Sequence, residues 1–379
     1  MRSPFATPPS TRYNRAMTDG SIISVQLPPA SYDITVRPGL LREAGALLAK
    51  LTPARKAAII TDSHVGSLHL PVLHDSLRSA GFESVVATIP AGEQYKTLAT
   101  LMPVYDQLLI AKIERGTPIL ALGGGVVGDM AGFVAATVLR GVPFVQIPTS
   151  LLAMVDASVG GKTGVDHTTG KNLIGAFHQP IAVMIDPDVL KTLPPRELRS
   201  GLAECIKHDL IRDADAFDRL PSELPAVLAL DSAVLAKLIA HNVAIKARVV
   251  EADPFEKGER AHLNFGHTFG HAIESVSNFS YAHGEAIALG MCAASFVSAQ
   301  LGLIDEIARQ RIIAAISRAG LPTSGLSLNI DSVIETMFFD KKVKAGRIRF
   351  VLLEKIGRAI IRDDVPPEIV RAALESLRG

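Results

Sequence analysis

Near residue 195 the hydrophobic pattern of this chain changes its period. Before that point, apolar residues come in short runs closed by Gly, Pro or Asp. Lys56–Ile60 ends in Thr61-Asp62, and Ser84–Ile89 is rich in β-branched residues. Pro118–Leu122 runs into three glycines, Phe144–Ile147 into Pro148-Thr149-Ser150, and Ala182–Ile185 into Asp186-Pro187. Such runs, separated by helix-length segments, predict a parallel α/β layer. Ile22–Leu27 and Tyr32–Val36 are expected to add an antiparallel edge. Beyond residue 195, Glu197–Ile211, Ser232–Glu251, His267–Ser277, Gly284–Leu301, Asp305–Ala319 and Pro367–Leu377 carry apolar residues at helical spacing. Ile348–Leu353 and Ala359–Ile361 predict one small hairpin. The expected fold is therefore α/β then all-α. A Rossmann-like parallel-sheet domain over 21–194 precedes a helical domain over 195–379, with the active site in the cleft between them. Residues 1–20 are expected to be a disordered tail, with Met17 as an alternative start.

Composition narrows the class. The chain has 379 residues, enough for two domains, and 48% hydrophobic against 20% charged residues excludes a disordered chain. With 39 basic and 38 acidic residues the net charge is +1, so no nucleic-acid partner is expected. Two cysteines, Cys205 and Cys292, cannot build a disulfide scaffold and point to a reducing, cytoplasmic setting. The uncharged run Ala286–Ile304 is long enough to span a bilayer. Its two glycines, two serines and one glutamine fit a buried core helix better, so no membrane partner is expected.

Three segments carry chemistry. Gly123-Gly124-Gly125-Val126-Val127-Gly128-Asp129 follows an apolar strand, opens a helix and satisfies G-x-G-x-x-G, which lets backbone N–H groups approach a pyrophosphate. No acid follows at the distance a ribose contact needs; Asp62, at the end of the first core strand, is better placed. Ser158–Gly164 resembles a P-loop but fails, because its first glycine would fall at Asp156. What remains is a polar, Gly-rich loop with Lys162, Lys171 and Asn172. In the second half, Asn264–Glu274 places His267 and His271 four apart on one helix face, and His283 follows shortly. With Glu204, alone on an apolar helix turn, these form a candidate site for a divalent first-row metal. Spacing does not say which three ligate.

Together, Ala91–Lys96, Gly123–Asp129, Gly160–Gly164 with Gly170-Lys171-Asn172, Gly201–Glu204, Asn264–Glu274 and His283–Glu285 resemble the 3-dehydroquinate synthase family in order and spacing, from about Ser24 onward. The resemblance implies an NAD-dependent, zinc- or cobalt-assisted homodimeric lyase of the shikimate pathway. Its substrate is a small sugar phosphate, 3-deoxy-D-arabino-heptulosonate 7-phosphate, which becomes 3-dehydroquinate and phosphate. The steps it implies are transient oxidation, phosphate elimination, reduction and intramolecular aldol closure. It further implies Glu204, His267 and His283 as metal ligands, with His271 beside the substrate. Glu93, Lys96, Gly125, Val126, Val127, Gly128, Asp129, Thr149, Ser150 and Thr192 would hold NAD, with Asp62 near the adenosine ribose and Lys171 on the nicotinamide side. Asp156, Lys207, Lys246, Arg260, Asn172 and Asn264 would surround the substrate. Lys162 would serve both, and Arg140 would come from a neighbouring subunit. One of Lys341 and Lys342 would close over the site.

Ser150 replaces a usual second threonine but keeps its hydroxyl. His167-Thr168-Thr169 lacks the proline often found before Gly-Lys-Asn. A valiolone- or inosose-type cyclase is the nearest rival, and the carboxylate-binding set Lys162, Asn172, Lys246, Arg260 and Asn264 argues against it. A polyol dehydrogenase would need no such set, and a scaffold protein would not need the acid, histidine and lysine set.

Overall fold

The structure, a computed structural model, describes residues 20–256, 258–278, 280–339, 343, 344 and 347–378. Residues 1–19 of the expected tail, and the pair Lys341 and Lys342, lie outside the described residues.

In the first half the strands are β1 (Ser21–Val25), β2 (Tyr32–Val36), β3 (Lys56–Asp62), β4 (Glu83–Ile89), β5 (Ile119–Gly123), β6 (Phe144–Pro148), β7 (Lys162–His167), β8 (Gly170–Phe177) and β9 (Ala182–Ile185). Helices α1 (Ala44–Leu51), α2 (Ser63–Ser79), α3 (Leu98–Ile110) and α4 (Gly125–Thr137) run between them. The main sheet has the order β1-β2-β9-β6-β5-β3-β4. It is parallel except for β1, which pairs antiparallel with β2, as the early apolar runs predict. From β3 the chain moves outward through α2 to β4, then returns through α3 to β5 on the other side of β3. The reversal separates the helices by face. Leu73 and Leu77 of α2 pack into one core, whereas Leu101 of α3 and Met130 and Val134 of α4 pack into the other. A crevice opens at such a switch point beyond the carboxyl ends of the strands, here Asp62 and Gly123.

The second half is built from α5 (Pro195–Arg212), α6 (Ala214–Leu228), α7 (Ser232–Ala252), α8 (His267–Val276), α9 (His283–Gln300), α10 (Glu306–Arg318), α11 (Ile330–Phe339) and α12 (Pro367–Glu375). Short strands β10 (Val343–Lys344), β11 (Arg347–Ile348), β12 (Phe350–Lys355) and β13 (Arg358–Arg362) form two small antiparallel pairs. The larger core runs unbroken from Ile34 and Val183 of the sheet to Leu202, Ile287 and Leu374 of the helices. The uncharged run Ala286–Ile304, most of it in α9, packs into that core; among the described residues no helix is long and apolar enough to cross a membrane. Cys205 and Cys292 are free and buried.

One segment differs from its reading as a loop. Lys162–Phe177 is a β-hairpin, β7 against β8, laid on α4. Alternation is hidden because Gly164 and Gly175 face each other across it, where a Cβ on Gly175 would lie 2.2 Å from the Thr163 carbonyl oxygen. At its tip His167 Nδ1 lies 2.8 Å from Thr169 Oγ1 and accepts the Thr169 N–H, a side-chain tie where the usual proline is missing.

Candidate active site

The starts of two helices of the second half meet the middle of a third. Glu204 lies in α5 with no exposure, His267 opens α8, and His283 opens α9. Glycines set how closely these helices approach. A Cβ on Gly290 of α9 would fall 2.1 Å from the Gly266 carbonyl oxygen, just before α8. One on Gly284 would fall 2.2 Å from the Ser200 carbonyl oxygen of α5. Backbone meets backbone at both places, so the three side chains converge.

His267 Nε2 and His283 Nε2 each lie 3.4 Å from the same oxygen, Glu204 Oε1. That oxygen is buried and has no hydrogen-bond partner among the described residues, while Oε2 accepts from Lys207 Nζ. An orphaned buried carboxylate oxygen is costly unless something polar completes it. Two imidazole nitrogens at this range supply, with it, the donor set of a divalent metal. His267 Nδ1 is tied to the Phe265 carbonyl at 3.1 Å, which turns Nε2 inward. His271, four residues on, has its ring centroid 5.1 Å from that of His267 and 6.2 Å from that of His283. It joins a second, overlapping group with Glu274 and His283 rather than the Glu204 group.

Around this cluster lie cations. Lys207 and Lys246 are buried, and Lys246 Nζ donates to Asp156 Oδ1 at 2.7 Å as well as to its carbonyl. Burial pulls the Lys246 ammonium down to about 8, with Arg260 adding to the effect and Asp156 opposing it. Burial also works against the Asp156 carboxylate, but Lys246 and Lys207 outweigh it and hold the carboxyl below its ordinary range. The buried Arg260 donates from Nη1 to the Pro254 carbonyl at 2.9 Å. Its other terminal nitrogen presses on Gly160, where a Cβ would lie 2.5 Å from it. Lys162 of β7 and Asn264, from the opposite half, converge on one carboxylate, Glu256.

Toward the sheet, the first N–H groups of α4 follow Gly124 with no side-chain cap. Thr149 N donates to the Gly123 carbonyl at 3.0 Å, and Ser150 Oγ faces Gly124. Lys96 is buried and donates to Asp129 Oδ2 at 2.6 Å and to Asn172 Oδ1 at 2.5 Å. Glu93 lies beside Lys171 at 3.2 Å. Asp62 caps α2 through the N–H groups of His64 and Val65, and Thr192 Oγ1 is 2.9 Å from His69 Nε2 on that helix. Gly125, Val126, Val127 and Gly128 form the first turn of α4. An uncapped helix start at a switch-point crevice fits a dinucleotide's pyrophosphate. Arg140 is the exception. It is exposed, at the far end of α4, about 20 Å along the helix from Gly125.

Residues not singled out from sequence also enter the site. Glu274 Oε2 lies 3.4 Å from His283 Nδ1; its position three after His271 and seven after His267, on one helix face, is a signal that could have found it. His208, one turn after Glu204, has its Nδ1 3.0 Å from Asn242 Oδ1. Since Asn242 Nδ2 donates to Leu238, Oδ1 is the acceptor and the His208 proton sits on Nδ1. Its unpartnered Nε2 lies 3.9 Å from Asp156 Oδ1, and burial, then Lys207, pulls its pKa down to about 3. Glu256, in the loop eight residues before Asn264, belongs to no motif or helical period that would have singled it out.

Known proteins resemble this chain over nearly its whole length. The 3-dehydroquinate synthase N-terminal family model matches residues 86–200, and the 3-dehydroquinate synthase C-terminal model matches 201–343. A 3-dehydroquinate synthase of Rippkaea orientalis is 48% identical over 357 residues, covering 93% of this chain and 98% of that protein. Among solved structures, 2-epi-5-epi-valiolone synthase of Streptomyces hygroscopicus, with NAD+ and Zn2+ bound, is 31% identical with a TM-score of 0.85, covering 93% of this chain and 98% of that one. A 2-deoxy-scyllo-inosose synthase complexed with carbaglucose-6-phosphate, NAD+ and Co2+ shares the fold at a TM-score of 0.86 and 24% identity, covering 94% and 100%. Both halves are matched in chain order and the likeness runs nearly end to end, so the chain belongs to the 3-dehydroquinate synthase family.

Proposed function

We propose that this member of the family converts 3-deoxy-D-arabino-heptulosonate 7-phosphate to 3-dehydroquinate and phosphate as an NAD- and metal-dependent lyase. One observation carries the reading: the Glu–His–His group carries a buried lysine, Lys207, on its Glu204 carboxylate, and Asp156, which shares a second group with Glu204, holds the buried Lys246. The division falls near residue 194, with a cofactor unit over 21–194 and a metal and substrate unit over 195–379. Glu204, His267 and His283 hold a divalent ion, zinc or cobalt as in the structurally similar cyclases. Asp62, Glu93, Lys96, Gly125–Asp129, Thr149, Ser150, Lys171 and Thr192 hold NAD. When bound, NAD supplies a hydride acceptor and donor, and the ion lowers the pKa of substrate hydroxyls.

The protein's own groups bind and orient. Lys162 and Asn264 give up Glu256 to grip an anionic end of the substrate from opposite sides of the cleft. Arg260, Lys246 and Asn172 complete the charge-assisted contacts, and Lys207 neutralises Glu204. Asp156 orients Lys246, and His271 faces the substrate as a proton carrier. Arg140, exposed at the far end of α4, reaches a neighbouring site in a homodimer. Buried free cysteines fit the cytoplasm.

Incubated with the heptulosonate phosphate, the enzyme is expected to release one phosphate per product molecule, with product in large excess over NAD. An NADH absorbance that climbs in step with product would replace the cyclase with a dehydrogenase. The valiolone synthase, a more distant neighbour at 31% identity, is the source of a second reading, a substrate without a carboxylate. Faster phosphate release from a carboxylate-free heptulose phosphate would establish it.

A pH dependence follows from Lys246. Its charged form, which holds an anion, prevails below about 8 and is lost above. The KM for the heptulosonate phosphate is therefore expected to rise as pH climbs from about 7 to about 9, several-fold more than in Lys246→Arg, where the charge persists. Equal profiles in the two proteins would remove Lys246 from the substrate's grip.

A further inference from the structure

We propose that Glu274 is a positioning residue that couples metal binding to cofactor binding, its single carboxylate holding the His283 ring on one oxygen and Lys171, from the other half of the molecule, on the other. The inference rests on Glu204, His267 and His283 as metal ligands and on Glu93 and Lys171 as cofactor contacts.

The links are continuous. Glu274 Oε2 lies 3.4 Å from His283 Nδ1, and Oε1 accepts from Lys171 Nζ at 3.2 Å. The same Lys171 nitrogen lies 3.2 Å from Glu93 Oε1, in the turn that follows β4. Glu274 is itself buried, so its carboxylate has little water to fall back on. A neutral imidazole carries one N–H. With that N–H on Nδ1 and committed to Glu274, Nε2 presents its lone pair toward Glu204 Oε1, 3.4 Å away. The ring of His267 is set by a backbone carbonyl, Phe265, which the fold holds in place. The ring of His283 is set by a side chain whose other oxygen is held across the cleft by Lys171 of the β7–β8 hairpin.

Two consequences follow. A cofactor that settles Glu93 and Lys171 also settles Glu274 and the His283 ring. A metal on His283 settles the same links from the other end, and such coupling is reciprocal by linkage. Both partners of Glu274 are donors, so it needs two acceptors. A carboxylate provides them, whereas an amide offers one. Glu274→Gln can therefore keep one link but not both.

The test measures zinc affinity by chelator competition with and without saturating NAD, and NAD affinity by calorimetry with and without zinc. In the wild-type enzyme NAD is expected to tighten zinc on the order of tenfold, and zinc to tighten NAD by the same factor. Glu274→Gln, which cannot keep both links, is expected to bring the coupling factor to about 1. Lys171→Met leaves the His283 contact intact; its zinc affinity without NAD is expected to stay within about twofold of wild type, with coupling again near 1. This second variant carries the test if the first does not fold by circular dichroism. Full coupling in either folded variant, or a wild type that binds both ligands independently, overturns the inference alone. A wild type that binds neither zinc nor NAD overturns the underlying site reading and the inference with it.

Discussion

His267→Ala is expected to lose its metal and its turnover while keeping its fold, whereas His271→Ala keeps stoichiometric metal. The reason lies in the geometry around Glu204 Oε1, a buried oxygen without a hydrogen-bond partner among the described residues that has two imidazole nitrogens at 3.4 Å. Removing His267 leaves two protein donors, too few for a stable catalytic ion, which keeps three. The fold should survive because Glu204 retains Lys207 on its other oxygen, and the α8–α9 contact is made by Gly266 and Gly290 rather than by the ring. Elemental analysis after gel filtration, with circular dichroism on the same samples, checks both statements. The reverse pattern, metal kept in His267→Ala and lost in His271→Ala, would place the ion in the overlapping His271, Glu274 and His283 group.

Gly284→Ala is expected to damage stability and metal binding together. The added Cβ would lie 2.2 Å from the Ser200 carbonyl oxygen and 2.4 Å from its Cα. Both are backbone atoms of a buried helix and cannot swing aside, so α9 must move away from α5. The Gly284 N–H to Ser200 Oγ bond, 2.9 Å long, would lengthen with it. Overpacking of this severity costs about 3 kcal/mol or more. The same displacement separates His283, the preceding residue, from Glu204, one turn beyond Ser200. Zinc affinity is therefore expected to fall at least on the order of a hundredfold, as for a lost ligand contact. Gly116→Ala is the control, since a Cβ there meets nothing within 4 Å, and it should stay within about 0.5 kcal/mol of wild type. Urea unfolding and chelator competition on both variants decide the matter. A stable Gly284→Ala with wild-type zinc affinity would mean that the helix contact does not position the cluster.

Much of this molecule is legible in its sequence because one physical signal, burial, writes itself as periodicity. The parallel strands β3, β5, β6 and β9 are covered on both faces and read as continuous apolar runs, while the helices beyond residue 195 read as apolar stripes. Where side chains do not record burial, the pattern is silent. The β7–β8 hairpin reads as a loop because glycines occupy the positions where its strands touch.

The site divides along the same line. Local spacing nominates His267 and His271, because four residues bring two side chains onto one helix face. Only the packing of three helices gathers Glu204, His267 and His283 within 4.8 Å and leaves His271 and Glu274 in a neighbouring group. Sequence separation between α5 and α9 carries no distance information, and the glycines that let them meet have no side chain to announce a contact. The same holds for Lys171, Glu274 and Glu93, three charges from three elements that look like solvated residues one at a time. Residue types and local periods determine which segments become strands or helices and which groups are able to ligate or carry charge. Which of those groups stand within 4 Å of one another is decided by the close approach of helices that are distant in the chain, and that exists only in three dimensions.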